Sequence, residues 1–229
     1  MRTVVEVVAR AGPGGRTVLP VVRASGQLAV RRTGPSTVHL VATAFGPLGG
    51  DDVAIRFVVE AGATLTVRSV GAAVALPSRG ARRPSAQRVT ATVEGGLDLR
   101  LEPTVVAAGA HHLAELHAEL GHEARLTATE QVLLGRTGED PGCWTGTTRV
   151  ERAGRPLLHT TVGLGPGEAA WLPPGAPRAY ASTVHIGDGA DVLTGEDGIR
   201  LPLPGGWVAT AWGEQLHRVV AAAEGLAAA

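Results

Sequence analysis

Acidic and imidazole side chains in three segments are the groups of this chain best suited to chemistry. The first segment is a Gly49-Gly50-Asp51 turn that ends one apolar stretch and opens a predicted strand. Glycine permits the tight backbone that would present the carboxylate of Asp51 to a site. Because Asp52 follows and no helix begins there, binding of a phosphate is disfavoured. Taken alone, the pattern is more typical of a hairpin turn with acidic caps.

The second segment is a histidine set in which His111, His112 and His117 are interleaved with Glu115. Imidazole and carboxylate together suit Ni²⁺ or Zn²⁺. On a strand, Glu115 and His117 share one face while His112 lies on the other, so no three histidines converge. These four residues are therefore candidates for weak metal binding on a solvated face. The alternative is a cupin-like, metal-dependent β-sandwich enzyme that uses the region His111–His122, although no His-x-His pair is present.

The third segment runs from Glu130 on an apolar strand into a turn that contains Gly135, Arg136, Gly138 and Glu139. Arg136 and Glu139 are spaced to form an ion pair that fixes the turn. An exposed pair of this kind stabilises a protein little. The same pair at an interface or a channel mouth would matter far more, and the sequence leaves both interpretations open.

Residue types that are missing exclude several mechanisms. All 21 basic residues are arginine, and the chain has no lysine and no asparagine. A Walker-A phosphate loop and a Schiff-base lysine are therefore excluded. No Gly-x-Ser-x-Gly motif is present, and no histidine lies near Cys143 in the sequence. The sequence therefore supplies no convincing catalytic triad.

Bulk composition limits the partners and the compartment. The chain has 229 residues, 44% of them hydrophobic, and its 21 acidic residues balance the arginines. Zero net charge without a basic cluster argues against binding to nucleic acid. A single cysteine fits a reducing compartment. No uncharged apolar run reaches the ~18 residues of a membrane-spanning helix, so we expect a cytoplasmic protein that does not bind a membrane.

Alternation of apolar and polar residues predicts strands almost throughout the chain. The 32 glycines and 15 prolines supply turns between them and are too many for a helical bundle. Strands are predicted at Val53–Val59, Thr64–Val70, Arg88–Val93, Leu97–Leu101, Glu123–Leu134, Thr147–Arg152, Leu157–Leu164 and Tyr180–Ile186. No linker divides the sequence, so we predict one all-β domain over residues 1–229.

Two segments also fit a helical pattern. An apolar stripe predicts a short C-terminal helix at 213–224, whereas His111–Leu120 fits either a strand or a short helical turn. No repeat of fixed period is present, which argues against a regular solenoid or propeller.

The order of five sequence pieces carries a family resemblance. Gly49-Gly-Asp51 precedes Glu60-Ala-Gly-Ala-Thr-Leu-Thr-Val-Arg68, and Leu101-Glu-Pro103 comes next. The segments Leu133-Leu-Gly-Arg-Thr-Gly-Glu139 and Arg152-Ala-Gly-Arg-Pro-Leu-Leu158 complete the series. In this order they resemble the UreD (UreH) family of urease accessory proteins, over roughly residues 5 to 220. The chain is shorter than typical members.

This resemblance implies both a fold and a role. The expected fold is an irregular, helical β-sheet with one or two short helices. Members are non-enzymatic and help to deliver Ni²⁺ into apo-urease, in a complex with UreF and the GTPase UreG, and a water-filled channel has been proposed as the nickel route. Asp51, Glu130 and Glu139 then match acidic positions of a nickel path, and Arg136 matches the family's turn. The resemblance implies no tightly bound cofactor, only transient Ni²⁺.

Overall fold

Two β-sheets, packed face to face, form the framework of the protein. The computed structural model describes residues 1–80, 83–166 and 177–229. Among these residues it contains eighteen strands, a 3₁₀ turn at Pro13–Gly15 and one α-helix, α1, at Leu216–Ala228. The strands are β1 Arg2–Ala11, β2 Thr17–Ser25, β3 Leu28–Arg32, β4 Thr37–Ala42, β5 Asp52–Val59, β6 Thr64–Ser69, β7 Ala73–Ala75, β8 Ser85–Val93, β9 Gly96–Arg100, β10 Thr104–Val106, β11 His111–Leu120, β12 Arg125–Leu134, β13 Cys143–Arg152, β14 Arg155–Leu164, β15 Ala179–Ile186, β16 Leu193–Thr194, β17 Gly198–Leu203 and β18 Gly206–Gly213.

Sheet 1 has seven strands in the order β14-β13-β11-β8-β5-β1-β2. Sheet 2 has eleven strands, with the main order β16-β17-β18-β15-β12-β9-β6-β4-β3 and with β10 joining β12 to β7. In both sheets the central neighbours are parallel, and the flanking pairs are antiparallel. Because parallel neighbours require a crossover, the chain alternates between the sheets as it advances.

This alternation winds the chain into a coil. In sheet 1, Ile55, Val89, Leu116 and Thr148 lie side by side in register on four successive strands. The sequence steps from 55 to 89, from 89 to 116 and from 116 to 148 are unequal, because the connections differ in length. The coil therefore leaves no fixed period in the sequence.

The core lies between the two sheets and consists mainly of aliphatic side chains. Alternate residues of each strand point inwards, as Val5, Val7 and Ala9 do on β1. Phe57 is fully buried in the largest apolar cluster. A second cluster surrounds Trp144, whose ring centroid is 5.5 Å from that of Tyr180.

The predicted mostly-β fold class is confirmed, and the predicted strands agree with the structure to within a few residues. The ambiguous segment His111–Leu120 is a strand, β11. Helix α1 begins and ends later than the range 213–224 expected from the sequence, and it buries Val219, Ala223 and Leu226. Within the described part of the chain, no helix is long and apolar enough to cross a membrane.

A buried arginine anchors α1 to sheet 2. Arg200 of β17 is 6% exposed, and it donates hydrogen bonds from Nη1 to the carbonyl oxygen of Leu226 at 2.9 Å and from Nε to that of Asp191 at 3.2 Å. The first of these carbonyls lies near the C-terminus of α1, where the helix dipole favours a cation.

Replacing this anchor should loosen the helix. We expect Arg200→Met to lower the free energy of unfolding by about 1–3 kcal/mol, because two carbonyl acceptors lose a charged donor. Urea denaturation followed by circular dichroism measures the change. Arg155→Met, on the exposed edge strand β14, is the control and should change stability by less than about 0.5 kcal/mol. Equal stability of the two variants would show that Arg200 is not an anchor.

Candidate functional site

A cavity of about 590 Å³ lies between the two sheets. Its walls are largely apolar, with Gln87, Glu130, Thr148, Thr160 and Ser182 among the polar residues that line it. The loops at residues 42–47 and 71–74 line one end of the cavity. Phe45 in the first of these loops is 94% exposed, so the cavity reaches the surface there. We call this space the inter-sheet cavity.

Glu130 is the acidic group that enters this cavity from the centre of sheet 2. Even-numbered residues of β12 face sheet 1, and Ser182 of β15 is the direct cross-strand partner of Glu130. Among the described residues, nothing forms a hydrogen bond or an ion pair with the Glu130 carboxylate. Burial raises the pKa of Glu130 to about 8. This carboxyl group therefore lies in the interior, and no arginine or histidine of the described chain pairs with it.

Three residues that the sequence did not single out shape the surroundings of Glu130. A Cβ atom on Gly146 would lie 3.1 Å from Glu130 Oε2 and only 2.2 Å from the indole ring of Trp144, so only glycine leaves room for both side chains. Burial and the charge of Glu130 raise the pKa of Tyr180 to about 12. Aromatic residues make up only 3% of the chain. This rarity is the one sequence feature that could have drawn attention to Trp144 and Tyr180.

Asp51 lies directly behind the rim of the inter-sheet cavity. It is 7% exposed, its Oδ1 forms an ion pair with the α-amino group of Met1, and its Oδ2 accepts a hydrogen bond from the Leu48 N–H at 2.9 Å. A Cβ atom on Gly46, which lines the cavity, would come within 3.8 Å of Asp51 Oδ2. In this structure both Asp51 oxygens hold the turn together.

The two glycines before Asp51 are explained by close packing and by backbone geometry. A Cβ atom on Gly49 would lie 2.5 Å from the Arg83 carbonyl oxygen and 2.7 Å from the Ser78 nitrogen. Gly50 adopts a φ of +91°, which disfavours any side chain. The Gly-Gly-Asp turn therefore joins the start of β5 to the segment that precedes β8.

The turn at residues 135–139 lies outside the residues that line the cavity. Arg136 Nε donates to Glu139 Oε1 at 2.8 Å, and the Arg136 backbone N–H donates to Oε2 at 3.1 Å. Hydrogen bonds from the Arg136 guanidinium and backbone lower the pKa of Glu139 to about 2. Gly135 and Gly138 have positive φ values, as a turn of this kind requires. Both oxygens of Glu139 are therefore already occupied.

A further arginine, which sequence reasoning missed, holds this turn in place. Arg178 Nη2 donates to the carbonyl oxygens of Leu134 at 2.9 Å and Glu139 at 2.7 Å. A Cβ atom on Gly135 would lie 2.5 Å from the same Nη2 atom. Because residues 134 and 178 are far apart in sequence, only the pairing of β12 with β15 brings them together.

Comparison with known proteins assigns the family. The family described as "UreD urease accessory protein" matches residues 2–224 of the chain. This protein belongs to the UreD family. Among curated relatives, the urease accessory protein UreD of Frankia alni is 41% identical over 74% of this chain and 65% of its own length. UreD 1 of Saccharopolyspora erythraea is 38% identical over 76% of this chain and 70% of its own length.

A third relative, UreD of Streptomyces avermitilis, is 36% identical over 81% of this chain and 77% of its own length. The chain thus spans about two thirds of the length of the first two UreD relatives that it matches. The predicted resemblance is confirmed. The inter-sheet cavity therefore lies in a protein of the UreD family.

The structure separates the histidine set that the cupin-like hypothesis requires. His112 faces the core, where its Nδ1 lies 2.9 Å from Ser85 Oγ, and burial together with neighbouring His111 lowers its pKa to about 4. Glu115 lies on the outer face of sheet 1 and pairs there with Arg88 at 3.2 Å, and His117 lies on the same face. In residues 1–80, 83–166 and 177–229, no group of three or more His, Cys, Asp or Glu side chains could hold a metal ion.

Gly49 provides a test of the turn geometry. We expect Gly49→Ala to lower the free energy of unfolding by about 1–3 kcal/mol, because its Cβ atom would press on two backbone atoms that cannot move freely. Thermal and urea denaturation measure the change. Gly189→Ala is the matched control, since a Cβ atom there meets nothing within 4 Å. A Gly49→Ala protein as stable as this control would contradict the packing described here.

Glu130 provides a test that depends on pH. Its pKa rises from 4.5 to about 8 on folding, so the folded state binds the proton more tightly than the unfolded state does. Stability from this group is therefore full below about pH 4.5 and is lost as the pH rises towards 8. We expect Glu130→Gln to match the wild type at pH 5 and to melt higher at pH 8.5, by about 2–4 °C for each kcal/mol. If the melting temperatures of Glu130→Gln and the wild type differ by the same amount at both pH values, the pKa of Glu130 is not raised by folding.

Proposed function

We propose that this protein is a non-enzymatic urease maturation factor that helps to deliver Ni²⁺ into apo-urease. The observation that carries the proposal is the match to the UreD family over residues 2–224, with relatives that are named urease accessory proteins. In this role it acts in the cytoplasm, in a complex with UreF-like and UreG-like proteins. Since the chain has no lysine for a Walker-A loop, any GTP hydrolysis in that complex belongs to a partner.

The inter-sheet cavity supports a path for the metal through the protein. At about 30 Å³ per water molecule, a volume of about 590 Å³ holds on the order of 20 waters, which is enough to hydrate a divalent ion. Glu130 is an oxygen donor whose side chain has no competing ion pair among the described residues. Carboxylate oxygens hold Ni²⁺ less firmly than several histidines or thiolates would, so the ion can move on.

The other two acids expected on the path differ from Glu130. Asp51 borders the cavity rim but binds Met1 and Leu48, and Glu139 binds Arg136. A nickel ion would have to displace these contacts before either carboxylate could act. We therefore place the main nickel station at Glu130, with Asp51 at the rim and Glu139 as a residue of the turn.

Removal of the Glu130 carboxyl group tests this function. With a pKa of about 8 the group is largely protonated at neutral pH, so an arriving cation binds it by displacing the proton. We expect Glu130→Gln to lower nickel-dependent activation of urease by about tenfold or more when Ni²⁺ is limiting, because an amide has no proton to exchange for the metal and cannot supply an anionic oxygen. Urease activity in cells that carry the complete set of urease proteins, measured over a series of Ni²⁺ concentrations in the medium, reports the effect. Glu130→Asp retains a carboxylate and should recover much of the activity.

Controls separate transport from assembly. Glu119→Gln removes an acid that is 60% exposed on the outer face of sheet 1 and should leave activation unchanged. Co-purification with the other urease proteins should be the same for all variants. If deletion of the whole protein leaves urease fully active at limiting nickel, the proposed function is wrong. If only Glu130→Gln is without effect, the placement of the station is wrong.

A further inference from the structure

The walls of the inter-sheet cavity suit an organic molecule. Its volume of about 590 Å³ falls within the range of about 300–1,000 Å³ that is usual for small-molecule sites. Aliphatic side chains of both sheets form much of the wall, among them Val53, Val89 and Leu116 of sheet 1 and Leu40 and Leu99 of sheet 2. An apolar group that replaces water against these side chains lowers the free energy, because apolar surface on both sides leaves water.

A row of residues on sheet 1 forms the floor of this cavity. Gln87, Ala114 and Gly146 lie side by side in register on β8, β11 and β13, and the first two line the cavity. Neighbouring strands are about 4.8 Å apart, so the backbone positions of Gln87 and Gly146 are about 10 Å from each other. Glu130 covers the Gly146 end, since a Cβ atom there would lie 3.1 Å from its Oε2. The floor therefore has an amide at one end, a carboxyl group at the other and a methyl group between them.

The polar groups of the wall select against an anion. Within residues 1–80, 83–166 and 177–229, no arginine or histidine contributes to the wall, so an anionic group would enter without a partner. Thr148, Thr160 and Ser182 supply hydroxyl groups, and the Gln87 amide can both donate and accept a hydrogen bond. Burial holds the pKa of Glu130 at about 8, so at neutral pH this carboxyl group is mostly protonated and can also donate.

We propose that the inter-sheet cavity is a binding site for an uncharged, mainly apolar organic molecule of two or three rings, which lies over Ala114 and accepts a hydrogen bond from Glu130. The molecule enters at the open end, where the loops at residues 42–47 and 71–74 line the cavity and Phe45 is exposed. The site depends on the shape and polarity of the cavity and not on the proposed nickel function. That function therefore stands or falls by its own experiment, whatever the outcome here.

Two matched fluorescent probes test the charge selection. Prodan is an uncharged naphthalene with a ketone and a dimethylamino group, and dimethylaminonaphthoate has a carboxylate in place of the ketone. We expect one prodan to bind per protein at pH 7, with emission shifted to the blue, and the naphthoate to bind about tenfold or more weakly, because its charge meets no cation. Fluorescence titration of the purified protein measures both affinities. Absence of saturable prodan binding, or equal affinity for the two probes, overturns the proposal.

A side chain that fills the floor tests the location. Ala114→Phe places a ring where the probe is proposed to lie and should weaken prodan binding by about tenfold or more. Ala54→Phe adds the same ring to the outer face of sheet 1, on β5, and should bind prodan like the wild type. Melting temperatures verify that both variants are folded. A folded Ala114→Phe protein with the prodan affinity of the wild type overturns the site.

The pH profile of binding decides the question if Ala114→Phe does not fold. A ketone only accepts hydrogen bonds, and an ionised Glu130 carboxylate has no proton to donate. We therefore expect the prodan Kd of the wild type to rise by about tenfold between pH 7 and pH 9, as Glu130 ionises with a pKa of about 8. Glu130→Gln keeps an N–H donor that does not titrate, so its Kd should stay constant.

The groups around Glu130 leave this comparison unambiguous. Tyr180, beside Glu130, has a pKa of about 12 and His112 of β11 has one of about 4, so both stay neutral between pH 7 and pH 9. Glu102 and Glu115 also contribute to the cavity wall, and both are retained in Glu130→Gln. Any loss of affinity that they cause therefore occurs in both proteins. Identical pH profiles for the wild type and Glu130→Gln overturn the proposal.

Discussion

Two stacked sheets lie about 10 Å apart, and side chains have to fill the space between them. The rest of this structure depends on how the chain fills that space. The chain does so mostly with valine, leucine and alanine, because aromatic residues make up only 3% of it. Where Phe57 and its neighbours interlock, the filling is complete. Towards Glu130 several inward-facing residues are small, such as Ala128, Thr148 and Ser182, and the sheets enclose a cavity there instead. The cavity is thus the result of small side chains on a rigid frame.

A carboxyl group in that location opposes folding, and the surrounding residues explain why it is tolerated. Glu130 projects into enclosed space, from a strand that is paired along its whole length with β15. Gly146 leaves room for it on the facing sheet, and Trp144 packs behind it. A carboxyl group held away from any arginine is poorly suited to stabilise the fold, and it becomes an anionic ligand when a passing cation displaces its proton. The same reasoning distinguishes Glu130 from Glu139, whose oxygens already bind Arg136.

The eight strands named from the sequence agree with β5, β6, β8, β9 and β12–β15, because period-two alternation reports directly on which residues face the core. Other strands of the described chain, such as β1–β4 and β16–β18, were not named individually. The sequence could not predict how the strands are ordered, since the parallel coil joins residues such as Ile55, Val89 and Leu116 through connections of unequal length. Glu130, Asp51 and Glu139 were identified through a family pattern, which gives positions but not surroundings. The roles of Arg178 and Gly146 depend on contacts between distant segments, so no local pattern could reveal them. The histidines of β11 point to opposite faces of sheet 1, as the alternation of neighbouring positions on one strand predicted.

The coil has a consequence for how such a protein changes over evolutionary time. The register of each strand is set by its hydrogen bonds to neighbouring strands of the same sheet. The turns that connect the two sheets therefore do not determine the register. Residues can be gained or lost at those turns without shifting any strand against its neighbours, as the unequal steps along sheet 1 already demonstrate. A change in the length of such a connection would leave Glu130, in the middle of β12, opposite Ser182 of β15. In this architecture the position of the interior carboxyl group is independent of the length of the turns that connect the sheets.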